Sequence, residues 1–210
     1  MVALRLFLYG IATALLLDAI VTAAEAGYGA VLMSEDLIFE SGRLTLESGQ
    51  LILALVCSGV FLGAAALRGP RREFLAAASL LPLFAAVREL DAFFDEHLFE
   101  GAYKLINAPV VLLFLYFALT RLRVMLEQAR DLASTAAFAV MFFGFFMVVG
   151  FSQIVGQKEL WQAAMGDGYL RLVKDTVEET SELVGYLFIV FGSLEALLLE
   201  RKTRGQRQSA

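Results

Sequence analysis

Apolar residues along the chain gather into six stretches, near residues 2–24, 49–67, 74–94, 105–120, 133–155 and 183–199, with more polar connections between them. Most approach the roughly 20 residues that cross a hydrocarbon core about 30 Å thick. Backbone N–H and C=O groups left bare in lipid are costly, so each stretch is predicted to be helical. The expected fold is all-α, a polytopic membrane helix bundle with six transmembrane helices. The stretch at 105–120 is short, and the one at 74–94 reaches full length only by including charged residues, so counts of five and seven stay open. Three connections share an acid, a glycine, a base and a leucine ahead of the returning helix: "FESGRLTLESGQLIL" from Phe39, "FEGAYKLINAPVVLL" from Phe99 and "GDGYLRLVKDTVEETSELVGYL" from Gly166. That pattern raises the expectation of three hairpin repeats.

Composition strengthens the membrane reading. Of the 210 residues, 59% are hydrophobic, 18 are Phe and only 19% are charged, with a mean hydropathy of +0.71. A soluble domain of this size is far less apolar. With three prolines and no Pro- or Ser-rich linker, residues 1–200 are expected to form a single integral-membrane domain, followed by a basic tail at 201–210, "RKTRGQRQSA". The small-residue run "VTAAEA" follows the first apolar stretch like a cleavage site, but Asp18 interrupts that stretch, and its retention as a helix is expected.

Charge then orients the helices. If both termini are cytoplasmic, that side collects Arg5, Arg68, Arg71, Arg72, Arg121, Arg123, Arg130, Arg201, Lys202, Arg204 and Arg207, eleven of seventeen basic residues. The other side keeps Arg43, Lys104, Lys158, Arg171 and Lys174 with most of the acids. The positive-inside rule places both termini in the cytoplasm, in a bacterial-type inner membrane. The loop "QKELWQAAMGDGY" is expected to lie as an interfacial helix with Trp161 and Tyr169 as anchors.

Chemistry is sought among polar residues at membrane depth, which are expensive to place there. In "FAAVRELDAFFDEHLFEG" the side chains of Arg88, Glu89, Asp91, Ala92, Asp95 and Glu96 share an arc of about 160° at 100° per residue. Counted from Phe74, Arg88 lies about 21 Å along the helix. In "KDTVEETSELVGYLFIVFGSLE" the residues Asp175, Glu178, Glu179, Glu182, Tyr186 and Ser193 make a longer ladder on one face. Asp18 and Glu25 make a third stripe, and Gln153 adds a polar group from the fifth stretch. The candidate cation ligands are therefore Glu89, Asp91, Glu179, Glu182, Asp18 and Glu25, with Arg88 tuning their charge and His97, Gln153 and Tyr186 in secondary roles. Against this stands the plainer reading that charges near helix ends are a solvated rim, and that Arg88 pairs with Asp91. His97, the only histidine, points away from the polar arc.

This inventory narrows the function classes. One histidine excludes a bis-histidine haem, and a single cysteine, Cys57, excludes a cysteine-ligated iron–sulfur cluster or zinc site. Paired Glu-x-x-His motifs for a di-iron centre are missing, as are a histidine-rich zinc hydrolase site, a nucleophile elbow and a phosphate-binding glycine loop. Carboxylate oxygens suit Ca²⁺, Mg²⁺ or Mn²⁺ better than Zn²⁺, or a proton passed between coupled acids. The leading expectation is an integral inner-membrane protein with a carboxylate-rich polar cavity in its outer half that binds or conducts a cation. Two others compete: an accessory or assembly subunit without chemistry of its own, and a metal-dependent intramembrane enzyme acting on a lipid headgroup. Whether the chain is an enzyme stays open. Its expected partners are the lipid bilayer and a second copy or another membrane protein; nothing points to nucleic acid.

Overall fold

The computed structural model describes residues 2–33 and 45–208. Of the described residues 90% are helical and none lies in a strand. Helix α1, Val2–Ala23, widens through Ala24–Tyr28, where Gly27 takes a φ of 88°, into the short helix Gly29–Leu32. Helix α2, Leu46–Ala66, starts where the Thr45 hydroxyl oxygen accepts the Ser48 N–H at 3.1 Å, satisfying one of the donors orphaned in a first turn. Three short helices follow: α3, Arg72–Ala78, α4, Leu80–Arg88, and α5, Asp91–His97. Then come α6, Ala102–Ala133, and α7, Ala136–Phe146, which continues through a wide turn at Met147–Phe151 into Ser152–Val155. Helix α8, Lys158–Met165, and the long α9, Arg171–Gln208, complete the chain.

Among the described residues, five helical stretches are long and apolar enough to cross a membrane: Val2–Tyr28, Leu46–Ala66, Ala102–Ala133, Ala136–Val155 and Arg171–Arg207. The sixth expected span, 74–94, is helical but lies in pieces of seven, nine and seven residues. Pro82 supplies the reason for the first break. It has no N–H for the Ala78 carbonyl and its ring crowds that group, so the helix bends at Ser79, whose hydroxyl donates to the Ala76 carbonyl at 2.7 Å. The second break is a tight turn in which Leu90 N–H donates to the Val87 carbonyl. These pieces run antiparallel to α6: Phe74 N–H donates to Gln128 Oε1 at 2.8 Å, and the buried Asn107 amide donates to the Phe84 carbonyl at 3.2 Å.

Helix α6 is also longer than its apolar core. The run "TRLRVMLEQAR", expected as a connection, is helical, and only Ser134 and Thr135 separate α6 from α7. Likewise residues 201–208 of the basic tail continue α9, which at 38 residues is about 57 Å long. Of the three similar connections, the part of the first at Phe39–Leu44 lies outside the described residues. The second and third turn on Gly101 and Gly166, both with positive φ.

Two compact units are distinguished: Met1–Gln50 with Phe143–Phe188, and Leu51–Phe142 with Ile189–Ala210. In the second, Cys57, Phe61, Ala64, Leu75, Leu132, Ala137, Val190 and Ala196 form a buried core. Close approach of α9 to α7 there depends on Gly192, where an added Cβ would lie 2.7 Å from Met141 N and 3.0 Å from the Ala137 carbonyl. In the first unit, Gly185 plays the same part against the Gly144 carbonyl, at 2.9 Å. Small residues at such crossings let backbones meet where apolar burial gives no driving force of its own in lipid. Gly150 instead faces Phe146 of its own helix. Phe142, Phe143, Phe145 and Phe146 point outward, a surface suited to lipid.

An ion-pair hub holds one end of the second unit. The Arg71 guanidinium donates to Glu200 Oε1 at 2.8 Å and reaches Asp131 Oδ2 at 2.6 Å. Glu200 is only 1% exposed. A buried charge is tolerable when paired in this way, and one arginine thereby ties the α2–α3 loop to the ends of α6 and along α9.

Candidate functional site

The ladder on α9 is the candidate site, and its rungs differ in their partners. Toward the start of the helix, Lys174 lies 2.9 Å from Asp175 and 2.7 Å from Glu178, and Arg171 lies 3.1 Å from Asp175. These pairs come from i,i+4 and adjacent spacing on one helix. Further along, the partners become neutral. The Gln50 amide donates to Glu179 Oε2 at 2.7 Å, and the Ser152 hydroxyl lies 3.0 Å from Glu182 Oε1 while also bonding the Val148 carbonyl. Glu182 and Tyr186 are buried on this face.

Gln50 has a defined orientation. It is fully buried, and its Nε2 faces two acceptors, the Glu179 side chain and, at 3.1 Å, the Glu179 backbone carbonyl. Only the nitrogen of an amide can satisfy two acceptors, so the oxygen must occupy the other position. There Gln50 Oε1 is buried and accepts no hydrogen bond from the described residues. Buried acceptors are nearly always matched to a donor, and none of the described residues supplies one to this atom.

The other predicted residues fall elsewhere. Asp18 and Glu25 are both exposed, on a segment in which no side chain is buried. Gln153 is exposed, and its neighbour Ser152 supplies the contact to Glu182. Arg88, Glu89, Asp91 and His97 belong to the second unit. Arg88 ends α4 and is exposed; Glu89 is half-buried in the break before α5. Asp91 is exposed in the first turn of α5, where its Oδ1 accepts the Ala92 N–H at 2.7 Å. The His97 ring stacks on Phe93 with centroids 4.2 Å apart, and its Nδ1 lies 2.9 Å from the Phe93 carbonyl. Among the described residues, no three His, Cys, Asp or Glu side chains are grouped to hold a metal ion.

Sequence reasoning missed Gln50 and Ser152 as members of the site. Gln50 carries a weak signal, being a large amide at the edge of an apolar stretch. Ser152 carries none, because a serine in a helix can bond its own preceding turn.

No protein-family model, curated protein or solved structure matches this chain.

Proposed function

We propose that the chain is an integral membrane protein that holds a proton or a small cation among Gln50, Glu179, Ser152 and Glu182. The observation that carries this reading is the buried Gln50 Oε1, oriented by the two acceptors on its nitrogen and lacking a donor of its own. Two carboxyl groups one turn apart, with amide and hydroxyl neighbours, form a site rich in oxygen acceptors to which a positive charge or a proton is complementary. Successive occupation of Glu179 and Glu182 would move the ion one helical turn. A divalent ion such as Ca²⁺, Mg²⁺ or Mn²⁺ would need further ligands from water.

In this reading α3–α5 is a sixth crossing in three pieces, which returns both termini to one side. The excess of Lys and Arg on that side is what supports reading it as the cytoplasm. A second reading, an assembly subunit, draws support from α1: none of its side chains is buried and Asp18 is exposed within it, as suits a helix that packs on another protein.

Carbodiimide labelling tests the ion-binding reading, because the reagent attacks protonated carboxyl groups in apolar surroundings. Peptide mass spectrometry of the labelled protein is expected to find adducts at Glu179 or Glu182. Labelling should fall at high pH or with added Na⁺, Ca²⁺, Mg²⁺ or Mn²⁺, and vanish in the Glu179→Gln/Glu182→Gln protein. Absence of labelling across pH 5–9 in folded protein, with no thermal stabilisation by any of the cations, would overturn it.

A further inference from the structure

Three basic stretches far apart in sequence meet at the Arg71 hub. Arg71 bonds both Asp131 and Glu200, so the residues flanking each of the three are brought within a few residues of one point. Arg68 and Arg72 flank Arg71, Arg130 precedes Asp131, and Arg201, Lys202 and Arg204 follow Glu200. All six are exposed. Arg71 itself is occupied by two carboxylates and is not available to an anion. The other acids within five residues of the hub are Glu73, Glu127 and the buried Glu195, so positive charge dominates the exposed rim.

The last three cations stand on a continuous helix, because α9 runs to Gln208 without a break. Within about 6 Å of rise beyond Glu200, Arg201, Lys202 and Arg204 are held at fixed positions instead of trailing on a loose tail. Outward-facing apolar side chains adjoin the cations on the same helices: Leu198 on α9, and Leu119, Leu122 and Leu126 on α6. A ligand complementary to this surface carries negative charge directly joined to hydrocarbon.

We propose that this rim binds the phosphate headgroup of an anionic phospholipid, whose acyl chains lie along the apolar faces of α6 and α9. Basic groups just beyond a membrane-spanning helix attract anionic headgroups, and arginine pairs with phosphate through parallel N–H donors. Long basic side chains also extend from an apolar helix toward the headgroup layer. The proposal requires that α6 and α9 span a membrane, and it is independent of ion binding at Glu179 and Glu182.

The test is native mass spectrometry of the full chain in detergent with equimolar phosphatidylglycerol and phosphatidylcholine of identical acyl chains. Phosphatidylglycerol is expected to be retained several-fold over phosphatidylcholine. The Arg201→Gln/Lys202→Gln/Arg204→Gln variant should bring that preference close to parity. These side chains are exposed, and an unchanged thermal midpoint in plain detergent establishes that the variant is folded. The charge-matched Lys104→Gln/Lys158→Gln/Arg171→Gln variant should keep the preference. Equal retention of the two lipids, or a preference that the first variant leaves intact, would overturn the proposal. Displacement of phosphatidylglycerol by millimolar inorganic phosphate would overturn it too, by showing that a soluble anion suffices.

Discussion

The Glu200 carboxylate rests directly against Gly69: a Cβ added at Gly69 would fall 1.5 Å from Glu200 Oε2. No other residue leaves that space, so a glycine in the loop is a condition for the buried pair with Arg71. Gly69→Ala is expected to push Glu200 off its arginine and to cost about 3–5 kcal/mol, the usual scale for breaking a buried ion pair. Thermal unfolding of detergent-purified protein measures this. Gly63→Ala, with nothing within 4 Å of the added carbon, should stay within about 1 kcal/mol of the parent.

Removing the cation of the hub should be worse than removing the pair. Arg71→Gln leaves the Glu200 carboxyl buried without its guanidinium, whereas Arg71→Gln/Glu200→Gln leaves two neutral amides. In a double-mutant cycle the double variant is expected to be more stable than Arg71→Gln alone, with a coupling of about 0.5–3 kcal/mol. Asp131 is more than half exposed, so Asp131→Asn should cost less than either buried change.

Helix crossings at α9 should resist enlargement. At Gly192 and Gly185 the atoms in the way include backbone, which cannot step aside as a side chain can. Gly192→Val and Gly185→Val are each expected to destabilise by about 1–3 kcal/mol or more through overpacking. Gly10→Val on α1, where an added carbon meets nothing within 4 Å, should be close to neutral in the same unfolding assay.

The two ends of the carboxylate ladder should respond differently to salt. Lys174→Met deprives Asp175 and Glu178 of a partly exposed cation, and a loss of up to about 1 kcal/mol is expected that shrinks as ionic strength rises. Gln50→Leu removes an amide from a fully buried position, and its effect should be insensitive to salt. Unfolding at two salt concentrations separates them.

His97→Ala is expected to change stability by no more than about 0.5 kcal/mol and to leave carbodiimide labelling intact, because the ring is exposed and contacts its own helix through Phe93. A large loss on this substitution would return the histidine to the site.

Much of this architecture could be read from the chain alone. Runs of apolar residues announced the helices because a backbone removed from water has to bond within its own segment. Periodicity also put Glu179, Glu182 and Tyr186 on one face of α9, since side chains 3 to 4 residues apart share a face in any α-helix. The same local reasoning could not say that 74–94 is divided, because Pro82 can be read either as a kink or as a stop. It also could not say which groups meet the four carboxylates of the ladder: two of them bond Lys174 on their own helix, one is met by an amide and one by a hydroxyl.

The sequence by itself determined helicity, the apolar spans and the side of each helix on which its charges lie, all of which follow from backbone hydrogen bonding and a 100° step. Tertiary structure alone decided the partners. Gln50 meets Glu179, and Arg71 meets Glu200, in each case across 129 residues. Such pairings depend on which helices pack together and at what height, and close approaches at Gly185 and Gly192 set that relation for α9 and α7. A carboxylate's position on its own helix is local information; the donor that reaches it comes from another helix and is known only once the two are packed.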